Sequence, residues 1–215
     1  MSSLPFQEVA VKQKIRIFVL TALAILAVSC ASPDYKAQAQ TYLDNSDWSN
    51  AVTAFTKVIK LDPKDFDAYN SRGIAYYNQV QIDLAIADFS QAILLNPDYE
   101  TAYYNRGFAY YYEGEPEKAI TNYTKAIELD PQDSNAYFDR GYTYCDQAEW
   151  SLGIADFTKA IEISPDFDTA YYQRSLAYSS SGNQTAAKAD LQTIVKISQD
   201  PSLVDKANQL LSSMQ

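Results

Sequence analysis

The sequence predicts an all-α fold: a solenoid of five helical hairpins closed by a C-terminal capping helix. Three observations carry that expectation. Prolines recur at Pro63, Pro97, Pro131 and Pro165, each number 34 above the last, and Pro201 follows 36 on. Tyrosines keep the same step in two registers: Tyr35, Tyr69, Tyr103, Tyr137 and Tyr171, then Tyr42, Tyr76, Tyr110, Tyr144 and Tyr178. No stretch sustains the period-two alternation of a half-buried strand.

The segment 1–29 reads as an address. Lys12, Lys14 and Arg16 precede an apolar run from Ile17 to Val28, broken only by Thr21, and Ser29-Cys30 follows. A basic segment, a short apolar segment and small residues before a cut describe a secretory signal. The run falls short of the roughly 20 residues a helix needs to cross a hydrocarbon core. Residues 30–34 are then a short tether. Hairpins follow at about 32–65, 66–99, 100–133, 134–167 and 168–201, with the ordered array starting near residue 35.

Each hairpin ends on Asp-Pro, Asn-Pro or Ser-Pro, because the residue before proline is driven out of the helical region. In the third hairpin Tyr103, Gly107 and Tyr110 lie at i, i+4 and i+7, one stripe of a helix, and Ala119, Tyr123 and Ala126 form the facing stripe. Gly114-Glu115-Pro116 supplies the turn between them, with proline suited to the first helical position. Gly73, Gly107 and Gly141 mark close approaches, and Phe55, Phe89, Tyr123, Phe157 and Leu191 fill the hairpin cores. The tail, 202–215, places Leu203, Ala207, Leu210 and Leu211 at helical spacing, as a helix covering the last exposed face would.

This period of two helices, with its Tyr, Gly, Ala, Phe and Pro registers, resembles the tetratricopeptide repeat over roughly residues 32–201. The resemblance implies a right-handed α-solenoid whose first helices line a concave face that holds extended peptides or partner helices. Separately, the Ser29-Cys30 ending resembles a bacterial lipoprotein signal, although Ala27 stands where that family more often has leucine. That resemblance implies cleavage before Cys30, acylation of its thiol and attachment to a bacterial membrane. Ala31 after the cysteine implies the outer membrane over the inner. An ordinary signal peptide or an uncleaved short anchor, with Cys30 a bystander, is the competing reading.

Composition excludes several functions. A formal net charge of -10 opposes binding to nucleic-acid phosphates. The chain has no histidine and two cysteines, Cys30 and Cys145, so His-based catalysis, most zinc sites and a disulfide framework fall away. No cofactor and no metal are expected, and no pair of carboxylates is singled out for catalysis.

Arg72, Arg106, Arg140 and Arg174 keep the step of the repeat, and Asp88, Asn122, Asp156 and Asp190 follow them at a constant offset. The first repeat lacks both members, with Gln38 and Ala54 in their places. The joint presence and absence points to a bond between the two helices of a hairpin rather than to a ligand ladder. Arg106, facing Asn122, is expected to be the freest of the four.

The tyrosines outside the structural registers concentrate on first helices. Asn70, Tyr77, Asn78, Tyr104, Asn105, Phe108, Tyr111, Tyr112, Phe138, Asp139, Tyr142, Tyr172 and Gln173 form the candidate partner-binding groove. Large aromatics with polar tips are enriched at interfaces. Only Lys36 matches the basic positions with which family members clamp a C-terminal carboxylate. The sequence thus points to a non-enzymatic scaffold of the bacterial envelope that binds a protein or peptide. The alternative is a carbohydrate- or peptidoglycan-binding protein, since tyrosines flanked by amides also suit sugars.

Overall fold

A computed structural model describes residues 35–214. The expectations for the signal, for Cys30 and for the tether lie outside those residues. Among the described residues there are eleven helices and no strand, the all-α class the period predicts. They form two compact units divided after Leu84.

The first unit holds α1 (residues 35–44), α2 (Trp48–Leu61) and α3 (Phe66–Asn78). Its core is Ala39, Ala51, Ala54, Phe55, Val58, Ile59, Ala68 and Ala75, with Tyr35, Tyr42, Leu43, Val52 and Tyr69 packed around it. Alanines bring the helix backbones close, and Phe55, 1% exposed, fills the gap they leave. The Asp-Pro boundary has a local cause. The Asp62 carboxylate accepts the backbone N–H of Lys64 at 3.0 Å, closing a turn, and Asp65 then caps α3 by accepting the N–H of Ala68 at 3.0 Å.

The second unit holds α4 (Ile82–Leu95, with the division in its first turn), α5 (Glu100–Tyr112), α6 (Pro116–Leu129), α7 (Ser134–Asp146), α8 (Trp150–Ile163), α9 (Asp168–Ser180), α10 (Gln184–Ile197) and α11 (Pro201–Ser213). Helices α5 and α6, α7 and α8, and α9 and α10 pair as hairpins. Each of these hairpins' second helices packs on the element that follows, and the first helices α5, α7 and α9 neighbour one another on one side. Between hairpins the core is again small residues ringed by aromatics: Ala126, Ile127 and Ala136 under Tyr103, Tyr104 and Tyr137, then Ala160, Ile161 and Ala170 under Tyr137, Phe138, Phe167 and Tyr171. The last layer, Leu191, Ile194, Leu203 and Ala207, is closed by α11 with Leu210, Leu211 and Met214.

The turn between the two helices of each hairpin passes through the left-handed region at one register. Gly114 and Gly182 hold it at φ 77° and 87°, but Ser46, Val80 and Ala148 hold it at 58°, 60° and 61° without glycine's freedom. Gly153 answers a different need. A Cβ there would overlap Cys145 Sγ and lie 2.8 Å from the carbonyl oxygen of Gly141, so α7 and α8 meet backbone to backbone.

Candidate functional site

The repeated arginines are tied from two sides. Arg140 donates Nε to Asp156 Oδ2 and Nη2 to Asp156 Oδ1, both at 2.8 Å, and Arg174 grips Asp190 in the same two-pronged way at 2.8 and 2.7 Å. Asp156 and Asp190 are 7% and 5% exposed, so these pairs are largely removed from water. For both arginines burial alone would lower the pKa, and the bonded aspartate reverses that, leaving it raised. Arg106 differs. Its Nε donates to Asn122 Oδ1 at 2.8 Å, and burial with no carboxylate against it lowers its pKa. It is nevertheless held, by neutral groups, and so is not loose as the sequence suggests.

The second tie has no counterpart in the sequence reading. Each arginine's Nη1 donates to a hydroxyl on the second helix of the preceding hairpin. Arg72 reaches Thr56 at 3.1 Å, and Arg106, Arg140 and Arg174 reach Ser90, Thr124 and Thr158, each at 3.0 Å. Tyrosines of the structural registers face the same guanidinium groups: Tyr103 lies 5.6 Å from Arg106, Tyr137 5.7 Å from Arg140, and Tyr171 5.4 Å from Arg174. At Arg106, Arg140 and Arg174 the node therefore joins a hairpin internally and to its predecessor. Arg72 and Asp88 belong to different units, and within the first unit Thr56, Tyr69 and Tyr76 surround the Arg72 guanidinium.

The first-helix side of the second unit holds a cavity of about 370 Å³ lined by Phe108 and Tyr111 from α5, Tyr123 from α6, Phe138, Asp139, Tyr142 and Thr143 from α7, and Thr169 and Gln173 from α9. Six of these residues are sequence candidates, and the fold brings them together around one opening. Tyr111 and Tyr142 meet nearly perpendicular, with centroids 6.0 Å apart and planes at 80°. Phe138 sits behind, 5.6 Å from Phe157 and 5.0 Å from Phe167, which fix its ring. Thr143 and Thr169, short and polar, gave no sign in the sequence. Tyr123, which its register places in the hairpin core, is 1% exposed there and also lines the cavity.

Two tyrosines link consecutive first helices. Tyr104 donates its hydroxyl to Asp139 Oδ2 at 2.6 Å, and Tyr111 donates to Asp146. Burial and the neighbouring carboxylates hold both hydroxyls above the ordinary tyrosine pKa. The Asp139 carboxyl is pushed up to about 6 by burial, against the lowering effect of Tyr104 and with Asp133 adding to the rise.

The remaining candidates are distributed. Tyr112 is 58% exposed beyond the cavity. Tyr104 packs on Ala126, Ile127 and Ala136, 5.8 Å from Tyr123, and Tyr172 packs on the last core layer, so both serve cores between elements. Asn70 shares their register and is buried at 4% exposure, which removes it from an accessible face. At Tyr104 and Tyr172 this register serves the cores between elements, while Phe138, of the same register, lines the cavity. Tyr77, Asn78 and Asn105 do not line the cavity; Asn78 is exposed and donates to its own helix at the carbonyl of Ile74.

Two other side chains resolve. Lys36, the lone match to a basic clamp, is engaged by Asp65 at 2.8 Å and Asp67 at 3.6 Å. Burial, Asp146 and Asp156 push the Cys145 thiol up to about 11, away from reactivity. Among the described residues no group of three or more metal-ligating side chains converges, and no helix is long and apolar enough to cross a membrane.

Models of the tetratricopeptide repeat match residues 36–100, 101–133, 122–153 and 168–201. The chain belongs to the tetratricopeptide-repeat family. No curated protein sequence matches it. Solved structures share the fold of this tetratricopeptide chain. One is a crystal structure of MamA protein, 26% identical, covering 77% of this chain and 90% of that one with a TM-score of 0.70. A second MamA structure, residues 41 to the end from Desulfovibrio magneticus RS-1, is 19% identical and covers 79% and 97% with a TM-score of 0.72. A third, YrrB, is described as a TPR protein with an unusual peptide-binding site; it is 21% identical and covers 81% and 90% with a TM-score of 0.67. Family and fold together support a protein-interaction scaffold.

Proposed function

We propose that this tetratricopeptide chain is a non-enzymatic scaffold of a bacterial cell envelope, anchored through an acylated Cys30, that holds a segment of a partner protein against α5, α7 and α9. The observation that supports the reading is the cavity built from Phe108, Tyr111, Phe138, Asp139, Tyr142 and Gln173, side chains of three consecutive first helices converging on one opening. A pocket with apolar walls and a few polar groups is the usual form of a recognition site. Aromatic rings held by other rings give up little conformational freedom when a ligand arrives. With Cys30 lipidated and few residues before α1, the array would start close to the bilayer, suited to assembling or localising an envelope complex.

The test is recovery of partners by the full-length chain from detergent-solubilised envelopes, comparing the parent with the double variant Phe108→Ala, Gln173→Ala. Neither residue belongs to the arginine nodes or the Tyr–Asp links, so the fold should survive the change. Loss of a partner from the double variant is expected. An unchanged set of partners, with unchanged circular dichroism, would remove the face from the account, and co-sedimentation with purified cell wall instead would favour a carbohydrate ligand.

A further inference from the structure

The cavity carries a chemical asymmetry. At the register of Asp139 the other hairpins have Ala37, Ser71, Asn105 and Gln173, so a carboxylate occurs once in the array, and it occurs where the cavity lies. Asp139 Oδ2 accepts the Tyr104 hydroxyl, while Oδ1 makes no hydrogen bond and no lysine or arginine pairs with the group among the described residues. No basic side chain lines the cavity either. The fold thus keeps a carboxylate, half-buried among aromatic rings, with one oxygen that no other described side chain engages. Neutral groups at that register in the neighbouring hairpins show that the repeat does not require a charge there.

What would satisfy it follows from the walls. Tyr111 and Tyr142 form a corner at 80°, Phe138 backs it, and Phe108 stands at the rim, 39% exposed. Ring faces attract cations, and a carboxylate behind them adds a charge-assisted bond. The Tyr111–Asp146 bond and the Phe138 contacts with Phe157 and Phe167 hold the rings in place beforehand. The chain's net charge of -10 draws basic segments toward it. Resting on the reading of this face as the docking surface, we propose that the cavity receives a basic side chain, arginine or lysine, of the partner segment, with its cation between Tyr111, Tyr142 and the Asp139 carboxylate.

The titratable groups facing Asp139 are Tyr104 and Tyr111 from α5, Asp133 at the start of α7 and Tyr142 on α7; α6 contributes the Tyr123 ring, and α9 the neutral Thr169 and Gln173. Burial pushes the Asp139 carboxyl up to about 6, so capture of a cation weakens as pH falls through that value.

The experiment uses the full-length chain, immobilised, and four pools of short peptides with degenerate flanks and a fixed central residue: arginine, lysine, citrulline or glutamate. The arginine and lysine pools should be retained about tenfold or more over citrulline at pH 7.5, the effect of one charge-assisted contact. That preference should shrink at pH 5 and vanish in Asp139→Asn, which keeps the Tyr104 bond and the shape. Equal retention of arginine and citrulline, or a preference that persists in Asp139→Asn, overturns the inference. If all four pools bind equally and Phe108→Ala releases them, the face still binds peptides and only the cation is refuted. If no pool binds, the inference fails, and the envelope recovery with the Phe108, Gln173 double variant decides the broader reading on its own.

Discussion

Replacing Arg140 by alanine should be among the most damaging single changes in the second unit. Asp156, 7% exposed, has both carboxylate oxygens bonded by Arg140 at 2.8 Å. The same guanidinium holds Thr124 at 3.0 Å and faces the Tyr137 ring at 5.7 Å. Removal leaves a buried carboxylate without its cation, which costs about 3–5 kcal/mol, far more than the net value of the intact pair. Asp156→Asn should cost less, about 1–2 kcal/mol, because the chain already runs that arrangement at Arg106 and Asn122, bonded at 2.8 Å. The double variant Arg140→Met, Asp156→Leu should recover most of the loss, since apolar groups of similar volume replace the pair without stranding a charge. Urea unfolding followed by far-UV circular dichroism measures all three. A loss below about 1 kcal/mol for Arg140→Ala, or a double variant no better than the single, would refute the reasoning. Loss of partner recovery with stability intact would instead make the arginine a ligand.

Three further outcomes are expected. Burial pushes the Asp139 carboxyl up to about 6 from an ordinary value of 3.8, so its contribution opposes folding as pH rises between those values, by up to about 3 kcal/mol. Asp139→Asn should therefore melt higher than the parent at pH 7.5 and level with it at pH 4; equal melting at both would contradict the burial argument. Val80→Gly should stabilise by about 1 kcal/mol, because a β-branched residue, 65% exposed, now sits at φ 60°, and calorimetry showing no gain would argue against strain there. Gly153→Ala should lose about 2–3 kcal/mol, since its Cβ would overlap Cys145 Sγ and press on the Gly141 carbonyl; a melting temperature within a degree or so of the parent would show that α7 and α8 can part there.

The repeat was legible because its registers are chemical and periodic. Pro63 to Pro165 and the paired tyrosines announce helix ends and packing positions, and the Arg–Asp link was readable from the joint gap at Gln38 and Ala54. The hydroxyl partners Thr56, Ser90, Thr124 and Thr158 keep the same step, but short hydroxyls on a helix look like solvated surface and hid in plain view. The Tyr104–Asp139 and Tyr111–Asp146 bonds escaped for the opposite reason. Their separation in sequence is one more than the repeat, and they involve carboxylates that do not recur at every register. Asn70 shows the limit of helical phase. It lies off the hairpin-core registers and is nonetheless buried, 4% exposed. The left-handed turn position was visible at Gly114 and Gly182 and silent at Ser46, Val80 and Ala148, where packing of the hairpin imposes it on residues that do not favour it.

The central claim is that the first-helix face of the second unit receives a partner. Its most direct test is photocrosslinking in cells, with a photoreactive phenylalanine at position 108 on the rim of the cavity and, as control, at position 94, where Leu94 is 73% exposed on α4 and does not line it. A discrete adduct from position 108 and none from position 94 is the predicted result. The same adducts from both positions, or none from position 108, would contradict the account.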